Sequence, residues 1–163
     1  MNYMKKAVFI DRDGVINYAL ENYVYQIEDF KINPGVGEAL KIFSDKGYLL
    51  IVITNQGGIA KGVYNEGHVE RLHDYMAEEL RKSGVSIQAI YYCPHHPSVG
   101  NCLCRKPYSL MLEKAMARYG IDPGLSYFIG DADRDEQAAK TAGVTPLRIK
   151  PNTSLLDVVS LVR

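Results

Sequence analysis

The sequence predicts an α/β fold, a three-layer α/β/α sandwich around a mainly parallel sheet. Two observations carry that expectation. Short apolar, β-branched runs alternate along the chain with stretches whose apolar residues recur at helical spacing, the pattern of parallel strands joined by crossover helices. Every polar cluster also falls directly after an apolar run, where a parallel sheet opens its ligand crevice. The composition fits a packed core: 163 residues are 47% hydrophobic and 23% charged, which excludes an intrinsically disordered chain.

Taken in order, Ala7–Ile10 is the first buried strand and stops on Asp11-Arg12-Asp13-Gly14. Residues Tyr18–Asn33 are aromatic and polar without a period, a flap over that strand end, with Tyr18, Tyr23 and Tyr25 clustered in it. Pro34-Gly35 opens a helix to about Lys46, with Val36, Ala39, Leu40 and Phe43 on one face, and Gly47 ends it. Tyr48–Ile53 is the second strand, leaving at Thr54-Asn55-Gln56; a loop to Asn65 leads into a helix over Glu66–Lys82. Ile87–Tyr92 is the third strand, followed by an irregular stretch, Cys93–Pro107, dense in Cys, His and Pro. A helix then runs from Ser109, a candidate N-cap, to Tyr119. Ser126–Ile129 is the fourth strand, Asp133–Ala142 a helix closed by Gly143, Thr145–Ile149 the fifth strand, and Thr153–Val162 a last helix. No repeat, linker or low-complexity segment divides this, so residues 1–163 read as a single domain on a Rossmann-like sheet.

Nineteen basic residues balance nineteen acidic ones, so no global field favours nucleic acid or an anionic membrane. Met1–Lys6 is polar, without the apolar core of a signal peptide, and no run reaches membrane-spanning length, so the expected setting is cytoplasmic. The three cysteines fall between Cys93 and Cys104, an odd and clustered set that suits metal binding rather than a disulfide framework.

Asp11 and Asp13, one residue apart at a strand end, repel unless a cation or a shared proton relieves them; Mg²⁺ suits such a hard-oxygen site, and a polar turn is the plain alternative. Thr54-Asn55-Gln56 offers the hydroxyl, amides and N–H groups a phosphoryl group needs, and Arg105-Lys106 offers two cations before a helix. After the fourth strand, Asp131 is placed to ligate a metal beside Asp11, with Asp135 supporting it and Asp133 free to complement the helix dipole. Cys93, His95, Cys102 and Cys104 form the composition of a closed structural zinc site, which would staple the loop and deliver Arg105 and Lys106 to the crevice. His68 and His73, on a helical stretch, read as surface residues.

With these residues in hand, the chain resembles the haloacid dehalogenase (HAD) superfamily of phosphatases over essentially its whole length. Asp11-x-Asp13-Gly14-Val15, Thr54-Asn55, Lys106 and Gly130-Asp131-x-x-x-Asp135 appear in that family's order. Within it, I-D-R-D-G-V, T-N-Q-G-G-I-A-K-G, C-P-H-H-P and C-R-K-P look like the heptose-bisphosphate 7-phosphatases, with the histidinol-phosphate phosphatases as close relatives. The resemblance implies a Mg²⁺-dependent phosphomonoesterase with Asp11 as nucleophile, Asp13 as general acid and base, and Thr54 and Lys106 as catalytic stabilisers of the phosphoryl group. It implies Mg²⁺ on Asp11, the backbone carbonyl of Asp13, and Asp131; substrate contacts from Asn55, Gln56, Arg105 and Lys106; and Zn²⁺ on Cys93, His95, Cys102 and Cys104. No stretch is long enough for the separate cap domain many members carry. The expected partner is a small sugar phosphate, met by a monomer. A receiver-like signalling domain is disfavoured because the third strand ends in Cys93, where such a domain carries its phosphoacceptor.

Overall fold

The computed structural model describes residues 4–163, so the start of the polar leader, Met1–Tyr3, lies outside the described residues. The elements are β1 (Lys6–Ile10), α1 (Val36–Asp45), β2 (Tyr48–Asn55), α2 (Glu66–Arg81), β3 (Ala89–Cys93), α3 (Leu110–Tyr119), β4 (Tyr127–Gly130), α4 (Asp133–Ala142) and β5 (Thr145–Arg148). Short 3₁₀ turns occupy Ile27–Asp29 in the flap and Pro123–Leu125, and a longer one, Leu155–Leu161, stands where the sequence suggests a final helix. All pairings are parallel, in the order β3-β2-β1-β4-β5. The chain therefore winds outward from β1 through β2 and β3, then returns to place β4 on β1's other side. That reversal puts the ligand crevice of an open α/β sheet at the carboxyl ends of β1 and β4, the strands followed by Asp11 and Asp131.

The period-2 alternation of the central strand builds both outer layers. Val8 and Ile10, with Leu50 and Val52 of β2, pack one core with Val36, Leu40 and Phe43 of α1, Leu72 and Met76 of α2, and Leu155 and Val158 of the closing 3₁₀ turn. Ala7 and Phe9, with Ile51 and Ile53, pack the other with Leu112 and Ala115 of α3 and Ala138 and Ala139 of α4. The third strand starts two residues later than the apolar run suggests and is half-buried except at Cys93, as an edge strand is. Ser109 holds the N-cap position of α3, yet its hydroxyl donates to Glu113 across the first turn instead of capping a backbone N–H. No helix among the described residues is long and apolar enough to cross a membrane.

Phe43 is fully buried where α1 meets the sheet. Phe43→Ala is expected to cost about 3–5 kcal/mol through lost transfer energy and an unfilled cavity. Urea denaturation at constant slope measures it, and a cost near zero would contradict this account of the core.

Candidate active site

The crevice at the ends of β1 and β4 collects the acids. The Asp11 N–H donates to Ile129 O of β4 at 3.0 Å, locking the nucleophile candidate onto the neighbouring strand. Gly14 turns the chain at φ +86°, and a Cβ there would stand 2.2 Å from Asp131 Oδ2. Only glycine lets the Asp11–Gly14 turn and the Asp131 carboxylate approach so closely. Asp11, Asp131 and Asp135 each offer an oxygen, all within 4.8 Å of one another.

Lys106, buried like Asp11 and Asp135, reaches in from the loop before α3. Its Nζ stands 2.9 Å from Asp11 Oδ1 and 2.7 Å from Asp135 Oδ1, and donates to Ile53 O at 2.9 Å. Burial opposes the ammonium, but the two carboxylates outweigh it and hold Lys106 above the usual lysine range. Burial also dominates at Asp11, pushing its carboxyl up to about 7 despite the opposing pull of Lys106. Asp131 is raised too, by burial and then by the charge of Asp135. Asp131 Oδ1 is buried without a hydrogen-bond partner among the described residues. An orphaned acceptor beside Asp11, with Asp135 paired to Lys106, fits the donor set of a divalent-cation site that Asp11 and Asp131 would hold.

Asp13 sits at the mouth, its side chain 33% exposed, inside a ring of donors. Arg12 Nε and Nη2 donate to Asp13 Oδ1 at 3.1 and 2.9 Å, Asn17 Nδ2 to the same oxygen at 3.0 Å, and Gln56 Nε2 to Oδ2 at 3.1 Å. Gln56 also donates to Thr54 Oγ1 at 2.9 Å and accepts from the Tyr64 hydroxyl at 2.6 Å. Asn55 grips the backbone of Lys106 in both directions, N–H to Oδ1 at 3.0 Å and Nδ2 to O at 3.1 Å. The amides of Asn55 and Gln56, expected on substrate, are thus engaged in holding Lys106 and Asp13. Sequence reasoning passed over Arg12, Asn17 and Tyr64; only Arg12 left a signal, a lone cation between two carboxylates.

Above this lies a cleft of about 500 Å³, a volume suited to a small ligand. The flap residues 19–24 wall it, and Lys61, Arg105 and Arg134 share it with Asp13 and Asp131. The flap is held by aromatic packing: Tyr25 stacks on Tyr64 at 5.0 Å and Tyr23 meets the same ring edge-on at 5.7 Å.

Beside the cleft, the three free cysteines and His95 converge. Cys93 Sγ is 3.1 Å from Cys104 Sγ, 3.7 Å from Cys102 Sγ and 3.4 Å from His95 Nδ1, and His95 Nδ1 is 3.3 Å from Cys104 Sγ. Ligands about 2.3 Å from a tetrahedral zinc stand roughly 3.8 Å apart, so the four could close on one ion. Adjacent His96 turns away to Ser98 at 2.7 Å. His73 is not a surface residue: it is 6% exposed, with Nε2 3.1 Å from Arg12 Nη1. The sequence pattern misplaced it because a polar residue on an otherwise amphipathic helix reads as solvated until its buried partner is known.

The HAD-hydrolase-like family matches residues 103–154. A D-glycero-β-D-manno-heptose-1,7-bisphosphate 7-phosphatase of Haemophilus ducreyi is 47% identical over 146 residues, 86% of this chain and 80% of that one. A D-glycero-α-D-manno-heptose-1,7-bisphosphate 7-phosphatase of Campylobacter jejuni is 45% identical, over 87% of this chain and 80% of that one. The crystal structure of D,D-heptose 1,7-bisphosphate phosphatase from B. bronchiseptica, complexed with magnesium and phosphate, superposes with a TM-score of 0.85 at 31% identity, covering 96% of this chain and 87% of that one. On fold, motif order and identity together, the chain belongs to the HAD-like hydrolases, in the family of the heptose-1,7-bisphosphate 7-phosphatases.

Proposed function

We propose that this chain is a Mg²⁺-dependent phosphomonoesterase that removes the 7-phosphate of D-glycero-D-manno-heptose 1,7-bisphosphate through an aspartyl-phosphate on Asp11. The carrying observation is the pairing of Asp11 with the orphaned Asp131 carboxylate and Lys106 at the sheet's switch point, in a chain 47% identical to an enzyme of that name. Asp11 attacks phosphorus; a P–O bond forms to its carboxylate as the bond to the sugar oxygen breaks, and that oxygen takes a proton from Asp13. A water then gives its proton to Asp13 and attacks the same phosphorus, releasing phosphate and restoring Asp11. Lys106 and the Thr54 hydroxyl meet the non-bridging oxygens. Thr54 is suited to this because its oxygen accepts from Gln56 while its nearest acceptor, Asn55 O, is a distant 3.5 Å. Asp11, Asp131 and the Asp13 carbonyl would hold Mg²⁺, whose charge would let an anionic nucleophile approach an anionic phosphate.

The second phosphate explains the other cations of the cleft. Arg134 lies in the first turn of α4, where the helix dipole favours anions, and no ion pair of Arg134 is found among the described residues. Arg148 instead takes Asp133 at 2.7 Å. Arg105, Arg134 and Lys61 are placed for a far-end dianion that a singly phosphorylated substrate lacks. Cys93, His95, Cys102 and Cys104 would hold Zn²⁺, which would staple the loop that carries Arg105 and Lys106 and offset the burial that raises the Cys93 thiol. Free cysteines suit a reducing, cytoplasmic setting. Both cores rest on one sheet, which supports reading the described residues as one domain.

Asp11→Asn is expected to cut phosphate release from heptose 1,7-bisphosphate by more than about a thousandfold with the circular dichroism spectrum unchanged. Substantial residual turnover would exclude Asp11 as the nucleophile. A panel of both anomers, heptose 7-phosphate and histidinol phosphate should favour a bisphosphate; preference for histidinol phosphate would overturn the substrate. Because Asp11 must be ionised to bind a cation and stands near 7 without one, Mg²⁺ affinity should fall as pH drops below about 7. Calorimetric titration at pH 8 and pH 5.5 reads this, and equal affinities would contradict it. Elemental analysis should return stoichiometric zinc, with chelation costing activity as Lys106 loses its place; active, zinc-free protein would remove the staple.

A further inference from the structure

Arg12 cannot touch a substrate. It is 0% exposed, the largest fully buried side chain among the described residues, yet it follows the nucleophile directly. A buried guanidinium is costly unless its donors are met and its charge compensated. Nε and Nη2 fork onto Asp13, Nη2 also donates to Val24 O in the flap at 2.6 Å, and Nη1 is met by His73 of α2. The last partner is unusual in kind. A carboxylate at that position would compete with Asp13 for the guanidinium. An imidazole satisfies one N–H as a neutral acceptor and leaves the positive charge facing Asp13. Since arginine only donates, His73 Nε2 must be the bare nitrogen. Burial, reinforced by the Arg12 charge, pushes the His73 pKa down to about 3, in keeping with a permanently neutral ring. Tyr92 of β3 meets the imidazole edge-on at 5.9 Å, fixing its plane between sheet and helix.

We propose that His73 is a positioning residue for the reaction: through Arg12 it sets the direction of the Asp13 carboxylate and ties it to the flap at Val24. The proposal rests on the reading of Asp13 as the group that protonates the leaving oxygen and then activates water. Among the described residues Arg12 is the hydrogen-bond partner of the His73 ring, and Arg12 reaches both Asp13 and the flap, so a defect at His73 arrives at the chemistry as a misdirected Asp13. The side chains of Thr54, Lys106 and Asp131 lie outside this chain of contacts, and Asp11 is met by Arg12 through its backbone N–H at 2.8 Å, a bond that a side-chain change at His73 leaves in place. That gives it a signature a packing role lacks, a fall in kcat at unchanged KM.

The test is a double-mutant cycle on heptose 1,7-bisphosphate hydrolysis with His73→Leu, Arg12→Lys and both together, beside His73→Gln and Asp13→Asn. His73→Leu should lower kcat by on the order of ten- to a hundredfold, with KM and Mg²⁺ affinity held. His73→Gln, which keeps an acceptor, should restore most of it. The double variant should be no slower than Arg12→Lys alone, because the histidine acts only through the arginine. Additive losses, a loss carried by KM, or a normal kcat in His73→Leu would overturn the proposal. If His73→Leu does not fold, His73→Met takes its place in the cycle under the same criteria. An inactive Asp13→Asn beside additive losses defeats the positioning role alone; an Asp13→Asn as active as the parent defeats the Asp13 assignment and this inference with it.

Discussion

The structure depends on one buried arrangement of charge: Lys106 held between Asp11 and Asp135 at the carboxyl edge of the sheet. Charges out of water are tolerated only when paired and hydrogen-bonded, and removing one partner strands the other. Each neighbouring feature maintains that pairing. The β1–β4 register brings Asp11 beside Ile129 and so within reach of the β4 loop. Gly130 lets Asp135 pack down on the strand end, where a Cβ would stand 2.3 Å from the Asp135 Cβ. Asn55 fixes the Lys106 backbone, and the Cys/His loop holds the chain that delivers it. The same charges that cost stability compose the proposed phosphoryl site, a cation and a metal-ready acid pair around the candidate nucleophile Asp11.

Asp13 is arranged on a different principle. It remains partly exposed and is surrounded by donors from β1's exit turn, from Asn17 and from the loop after β2. The flap enters the same network twice, through Val24 O on Arg12 and through the tyrosines packed on Tyr64, which in turn orients Gln56. The wall of the cleft and the Asp13 carboxylate are therefore one connected network, and a ligand that displaces the flap must act on both.

Much of this was legible in the chain. Buried strands announce themselves as apolar runs, and in a parallel sheet their ends must share an edge, so Asp11, Thr54, Cys93 and Asp131 could be gathered before any coordinate was known. The exceptions have physical reasons. Leu155–Leu161 carries helical spacing but winds as 3₁₀, the tighter form short terminal segments adopt. His73 and Arg12 are polar residues whose burial is compensated by each other, by Asp13 and by the Val24 carbonyl, and the pairing of the two spans sixty-one positions that no local pattern encodes. Asn55 and Gln56 were correctly placed at the strand exit, but the partner of an amide is set by tertiary geometry alone.

The most direct test of the central claim is chemical trapping of the phosphoryl group. Protein mixed with Mg²⁺ and heptose 1,7-bisphosphate, quenched in acid and reduced with borohydride, should carry homoserine at position 11 and nowhere else. Release of phosphate without that conversion, or conversion at another carboxylate, would contradict Asp11 as the residue that takes the phosphoryl group.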